Sequence, residues 1–485
     1  LRHYALRQLD YRRLILPAFQ PKAGILLVKG VEWLESKPAV DFEAGKGWEQ
    51  LGLPQHVAKG LHATRVHSGG DDNVVVSLTP EGDLYYAGCP QVLGVEHNTA
   101  SFILYDKLDN GVRVKSVALG GSGTKHALLL SFEGTVYAVG DGTNGVLGQG
   151  NDESSARPIM VRAGLPDRIS GGDHVVCIAV SACCSAAVTK TGKLFVWGRE
   201  DGCGQTGLAV ADRGGSVAEE LGDNRFQFWR RVPTRVWALK LPATQVVLGA
   251  RHMAVLCVDG QVFTCGDSTY GQCGHGTLNS CNSVPTCVKF DDPPSKNEVD
   301  STTITHLASG LHHVLALSGS GTVWAWGNNQ AHQLGRTLQA QVSTPLQLSL
   351  PQLSSDDFVR FILAGPTSSI VQSNEGLVLG SGSYGLASSK SFVVHFHAGG
   401  EGWKSRQQHI CMPSIDGFGL ILPRDQTPQD KHLNYLMQGV DCGAIGLLSM
   451  QVNKNRSNAA HTWRLAVYAN EETEPAEVLE ADCHS

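Results

Sequence analysis

The stretch HVLALSGSGTVWAWGNNQAHQLG (residues 313–335) decides the fold. It reads as a histidine, an apolar strand, a glycine eight residues after the histidine (Gly321), a second strand, a glycine six residues on (Gly327), and a loop ending in glycine. Turn residues at both ends of a short apolar run are the signal of a strand in a hairpin. HALLLSFEGTVYAVGDGTNGVLGQG (126–150) and HMAVLCVDGQVFTCGDSTYGQCGHG (252–276) repeat the same order.

Working outward, the six-spaced glycine pair occurs seven times: Gly24/Gly30, Gly82/Gly88, Gly134/Gly140, Gly192/Gly198, Gly260/Gly266, Gly321/Gly327 and Gly376/Gly382. Both glycines of a pair are expected at turns, the second opening the loop that follows. Successive pairs are offset by 58, 52, 58, 68, 61 and 55 residues, and Pro158, Pro285 and Pro345 follow the second glycine of their units by 18, 19 and 18 residues. Each unit is a strand–turn–strand–loop–strand block that cannot bury both faces alone, so neighbours must stack. Units of this length suit propeller blades, whose radial closure removes exposed edges. The sequence therefore predicts an all-β, seven-bladed propeller. KAGILLVKG (22–30) supplies only the second half of a unit and is expected to pair with a C-terminal first half. Two segments qualify, MQGVDCGAIGLLSM (437–450) and HICMPSIDGFGLIL (409–422).

The pattern G-x-x-H-x-x-x-L-x-x-x-G-x-V-x-x-W-G-x-x-x-x-G-Q-L-G, followed almost letter by letter in GLHHVLALSGSGTVWAWGNNQAHQLG (310–335), resembles the regulator of chromosome condensation family of seven-bladed propellers. The resemblance covers roughly residues 20 to 450. It departs where the repeat histidine is replaced by Val74, Cys184, Ser368 and Gly446. It implies fold more strongly than function, because the same propeller serves exchange factors, ligase modules and scaffolds.

Several features that suggest chemistry are absorbed by the repeat. GDGTNG (140–145) fits a dinucleotide-binding fingerprint, but that fingerprint needs a helix directly after it. Here VLGQGNDESSARP follows, and the further matches GCGQTG (202–207) and GSGSYG (380–385) fall in different registers of the unit. No cofactor is expected. His126, His252 and His313 occupy equivalent places in different units, which assigns them a structural role, hydrogen-bonding neighbouring backbone. Cys265, Cys273 and Cys281 with His275 lack any Cys-x-x-Cys pair, so no metal is expected. No nucleophile elbow, zincin, phosphate-loop or EF-hand motif occurs, and no catalytic residue is assigned.

Composition bounds the rest. There are 56 glycines and 13 cysteines among 485 residues, with net charge −6. The cysteines sit in strand-like contexts, as small buried hydrophobes of a reducing, intracellular compartment. No run of about 18 apolar residues supports a membrane span. Residues 1–19 carry Arg2, Arg7, Arg12 and Arg13 against Asp10, and read as a basic extension or the edge of a mitochondrial presequence. Residues 471–485 form an acidic tail, leaving 20–470 for the propeller. Mitochondrion, cytoplasm and nucleus stay open.

One unit breaks the pattern. Pro233 follows Gly198 by 35 residues, so about 17 residues are inserted, within 208–232. The insertion ends in Arg225, Phe226, Phe228, Trp229, Arg230 and Arg231, residue types that anchor protein interfaces and also stack on RNA. In exchange factors of the resembled family a wedge-like loop presses on a small GTPase, and the insertion matches such a wedge in position and size. The expected function is a non-catalytic scaffold for protein partners or a ribonucleoprotein complex; the alternative is guanine nucleotide exchange on a small GTPase.

Overall fold

The computed structural model describes most of residues 62–397, apart from short breaks such as 209–216, 223–224 and 291–302, and the strand segments 24–29, 409–412, 418–423, 446–453, 461–467 and 477–483. The basic extension 1–19, Gly30 and Gly376 lie outside the described residues. The fold is all-β, built of antiparallel sheets that follow one another along the chain. Six consecutive sheets span 65–104, 114–160, 175–235, 243–287, 304–347 and 359–397, here numbered first to sixth. Five have four strands; the third has five.

The histidine-bearing segments and their Cys184 and Ser368 equivalents show how a sheet is buried. His126–Ser131, His252–Cys257, His313–Ser318, Cys184–Thr189 and Ser368–Ser373 are the second strands of their sheets and are buried at every position. The fourth strands Cys281–Cys287 and Gln341–Gln347 are less buried, with four and three of their seven residues exposed. Pro285 and Pro345 sit inside these outer strands, within the interval where the pairing register slips. Proline lacks the N–H that a central ladder would need, so an outer strand with a bulge accommodates it.

Each described hydrophobic cluster joins neighbouring sheets. Val74, Leu84, Val117 and Leu129 join the first and second sheets, Leu128, Ile178 and Trp197 the second and third, and Val188, Val246 and Met253 the third and fourth. A further cluster runs from Ala254 through Trp326 to Leu379, across the fourth, fifth and sixth. Apolar area is thus removed from water only when neighbours stack, which is why the repeat must recur.

The glycine pair has two distinct tasks. The first glycines are turn residues, as the spacing predicts: Gly82, Gly134, Gly192, Gly260 and Gly321 lie between the second and third strands of their sheets at positive φ. The second glycines correct the sequence reading. Expected to open the loop, Gly88, Gly140, Gly198, Gly266, Gly327 and Gly382 lie instead within the third strands, paired opposite Val74, His126, Cys184, His252, His313 and Ser368. Next to each of them the pairing with the fourth strand slips, so these are bulge glycines and not turn glycines.

The physical reason is a close approach of backbone. At Gly327 (φ +106) a Cβ would strike the His312 carbonyl oxygen, which accepts a hydrogen bond from the Asn328 N–H. Gly140, Gly266 and Gly382, at φ +104, +112 and +109, meet the carbonyls of Lys125, Arg251 and Thr367 in the same way. At Gly321 (φ +86) a Cβ would lie 2.6 Å from Phe358, just ahead of the sixth sheet's first strand. The second glycine closes its own sheet and the first admits the next one, so neither tolerates a side chain.

At the ends of the chain, Gly24–Lys29 pairs antiparallel with Phe418–Pro423 and briefly with His62–Ala63. Of the two C-terminal segments open to it, the N-terminal strand thus takes the 409–422 one. Gly446–Asn453, His461–Val467 and Glu477–Cys483 form a separate sheet with His409–Met412. That sheet crosses residue 470, and Glu477–Cys483 of the acidic segment pairs with His461–Val467.

Candidate interaction surface

The sheets meet along a seam whose contacts repeat. The residue before the second glycine reaches back to the preceding sheet's glycine-rich loop. Trp197 donates its indole N–H to the Val146 carbonyl (2.6 Å), and Trp326 donates to Gln272 (2.9 Å). In the same place Cys265 lies 3.9 Å from the Gln205 carbonyl and Ser381 donates to His332 (2.7 Å). Loop backbone that would otherwise be buried without a partner is satisfied here.

The loop glycine in turn rests on the next sheet's outer strand, two residues before its proline. A Cβ on Gly94 would lie 2.7 Å from Cα of Ala156, on Gly145 2.8 Å from Cα of Arg231, and on Gly271 2.7 Å from Cα of Ser343; on Gly204 it would overlap Cα of Ser283. Pro158, Pro233, Pro285 and Pro345 follow these four strand residues by two. The sequence spacing of the prolines held this signal, although the contact joins residues far apart in the chain.

Past its strand residue Gly140, GDGTNG is one of these loops. The Gly142 N–H donates to Ser154 Oγ (3.1 Å), the Thr143 N–H to Asp141 Oδ1 (2.9 Å), and the Gly145 N–H to the Gly142 carbonyl (3.0 Å). These three amides are turned to the protein and none of them is open to a phosphate.

The repeat histidines stitch the same seams. His126 Nε2 lies 2.9 Å from Ser185 Oγ, His252 Nε2 3.1 Å from Ser309 Oγ, and His313 Nε2 3.1 Å from Ser369 Oγ. Each serine belongs to the following sheet, and His313 also meets the Ser368 backbone there. Burial pushes His252 and His313 down to about 3, which keeps both rings neutral. The three histidines are spread over three seams and do not converge.

The insertion departs from this regularity. The third sheet's fourth strand runs over eleven residues, Arg225–Arg235, and Val217–Gly222 pairs along its outer side as a fifth strand. The inserted residues therefore form a β-hairpin continuous with the sheet, with Val217 opposite Trp229, Ala218 opposite Phe228, Glu219 opposite Gln227 and Glu220 opposite Phe226. Trp229 and Arg231 reach the preceding sheet: the Trp229 indole lies 3.4 Å from Asn144 Oδ1, and Arg231 Nε is 3.0 Å from Asp152 Oδ2. The Arg231 carbonyl also accepts from the Gly150 N–H at 2.8 Å. Phe228 is half-buried and Arg230 buried, while Arg225 and Phe226 lie in the part of the strand beyond the repeat. Of the six residues singled out by sequence, Arg231 thus occupies a repeat position, and Arg225 and Phe226 lie in the hairpin proper.

Models of the regulator of chromosome condensation (RCC1) repeat match residues 133–188, 259–317 and 320–371, and also 243–272 and 304–333. The RCC1 domain-containing protein RUG3, mitochondrial, of Arabidopsis thaliana is 28% identical over 326 residues, which are 65% of this chain and 63% of that protein. The chain thus spans less than two thirds of that relative's length. Among solved structures, human WBSCR16 superposes with a TM-score of 0.51 at 19% identity, covering 92% of this chain and 87% of that one. Prp20p from Saccharomyces cerevisiae, which binds Gsp1p and histones, gives 0.55 at 18% identity, covering 77% and 85%. At these identities the structural likeness concerns the fold.

Proposed function

Because the chain belongs to the RCC1 repeat family, we propose that it is a seven-bladed propeller serving as a non-catalytic interaction platform, with the third sheet's hairpin as its principal binding element. The pairing of Gly24–Lys29 with Phe418–Pro423 supports closure of the ring by both ends of the chain. The observation that carries the binding assignment is the fifth strand: the third sheet's seam contacts have counterparts in its neighbours, and the hairpin has none. Material that the repeat does not need for stability is available for recognition.

The arginines within residues 1–19 and the RUG3 likeness support a mitochondrial setting, and the Arg and aromatic residues within 225–231 a ribonucleoprotein partner. The decisive experiment shortens the hairpin by about the 17 inserted residues and compares partners by quantitative affinity purification. A normally folded variant that loses a partner supports the platform; one that keeps all of them overturns it. The likeness to Prp20p favours a second reading, exchange of guanine nucleotide on a small GTPase. Faster release of a fluorescent nucleotide at substoichiometric protein would replace the scaffold with that activity.

A further inference from the structure

The hairpin leaves one edge of the third sheet open in an unusual way. In the second, fourth and fifth sheets the last strand carries Pro158, Pro285 or Pro345 together with a register slip, two devices that block a further strand. In the third sheet the proline-bearing strand is itself covered, and the sheet ends on Val217–Gly222, VAEELG, which contains no proline. Its pairing is regular from Val217 to Glu220 before the register slips ahead of Gly222. Among the described residues, Val217–Glu220 thus stands at the end of the sheet with pairing on one side.

We infer that Val217–Glu220 is a strand-addition site that takes an extended segment of a partner protein carrying adjacent basic residues. Strand addition draws affinity from main-chain hydrogen bonds and specificity from alternate side chains. Glu219 and Glu220 are consecutive, so half of the four regularly paired residues of this edge strand are acidic. A second copy of this chain would bring two more carboxylates into the same short strand pair, and like charges so placed are unfavourable, whereas Lys or Arg opposite Glu219 and Glu220 is favourable. The same two residues that stop the edge from pairing with itself therefore select a basic strand.

This inference rests on the platform reading above. The probe is a fluorescein-labelled, end-blocked hexapeptide, Thr-Val-Lys-Arg-Val-Thr, titrated into the full chain at low salt and followed by anisotropy. Binding is expected, and N-methylation at alternate residues of the peptide, which removes ladder donors, should weaken it at least about tenfold. The double variant Glu219→Lys, Glu220→Lys should lose the basic peptide and gain Thr-Val-Glu-Glu-Val-Thr. Absence of binding, equal binding of the N-methylated peptide, or unchanged preference in the double variant each overturns the inference. Concentration-dependent dimerisation of the unaltered chain, lost on hairpin shortening, would overturn it in favour of a second copy as occupant. If the peptide fails while hairpin shortening still removes a natural partner, strand addition falls and the platform stands.

Discussion

The third and fifth sheets are two versions of one design. Both place a fully buried tryptophan, Trp197 or Trp326, before the second glycine and donate its N–H to the preceding loop. Both receive a loop glycine, Gly145 or Gly271, two residues before the outer proline. They differ in two ways: Cys184 replaces the histidine that His313 supplies in the fifth sheet, and the third sheet adds a hairpin between its third and fourth strands. The added strand alters none of these seam contacts. Structure is thus held at positions fixed by the repeat, and variation is placed beyond them.

The largest effect tests the shared part. Trp197→Ala and Trp326→Ala each remove a buried indole at a seam, and each should cost about 3–5 kcal/mol in urea unfolding. If one variant proves much milder than the other, the two seams are not equivalent and the comparison breaks.

Next in size is the titration that distinguishes them. His252 and His313 are neutral in the fold down to about pH 3, whereas in the unfolded chain they take up protons near pH 6.5. Between those limits the unfolded state binds more protons, so stability falls as pH falls, by about 1.4 kcal/mol per pH unit for each ring. His313→Gln keeps a polar side chain beside Ser369 but cannot titrate, and should lower the slope of stability against pH between about 6 and 4 by about 1.4 kcal/mol per pH unit, leaving the part carried by the other lowered rings, His252, His306 and His312. The third sheet has no such ring at the repeat position, so Cys184→Ala should leave that slope unchanged. A slope insensitive to His313→Gln would mean that other groups carry the acid lability.

How much of this was legible in the sequence differs between the two sheets. In the fifth, every strand lies within 304–347, and the His–Gly–Gly spacing states the hairpins directly. The spacing did not separate the two kinds of glycine. A turn and a bulge both call for a residue without Cβ, so Gly88, Gly140, Gly266 and Gly382 read as loop openers although each is the strand partner of the repeat-histidine position. The seam was less legible still, because Gly145 meets Arg231 and Trp197 meets Val146 across sheets, and no local period records a contact between units. The role of Arg231 was hidden for the same reason. Among interface-type residues it looks like an anchor, yet its place relative to Pro233 makes it the counterpart of Ala156, Ser283 and Ser343. The hairpin itself was visible as an interrupted spacing, but not its pairing, since Val217–Gly222 has weak alternation and finds its register only against the strand it covers.

The smallest effect separates backbone from side chain at that seam. The Arg231–Asp152 pair is partly solvated, with 29% and 42% of the side chains exposed, so Arg231→Ala should cost well under about 1 kcal/mol. Gly145→Ala should cost more, about 1–3 kcal/mol, because the residue holds φ +70 and a Cβ would lie 2.7 Å from Cγ and 2.8 Å from Cα of Arg231. Arg231→Ala removes the Cγ but leaves the Cα and the positive φ, so most of the Gly145→Ala cost should remain and the two costs should nearly add in the double variant. Additive costs would leave the guanidinium free to serve recognition while its backbone serves the fold. A double variant no worse than Gly145→Ala alone would instead show that the arginine side chain is what the loop leans on, and would return Arg231 to the structural part of the repeat.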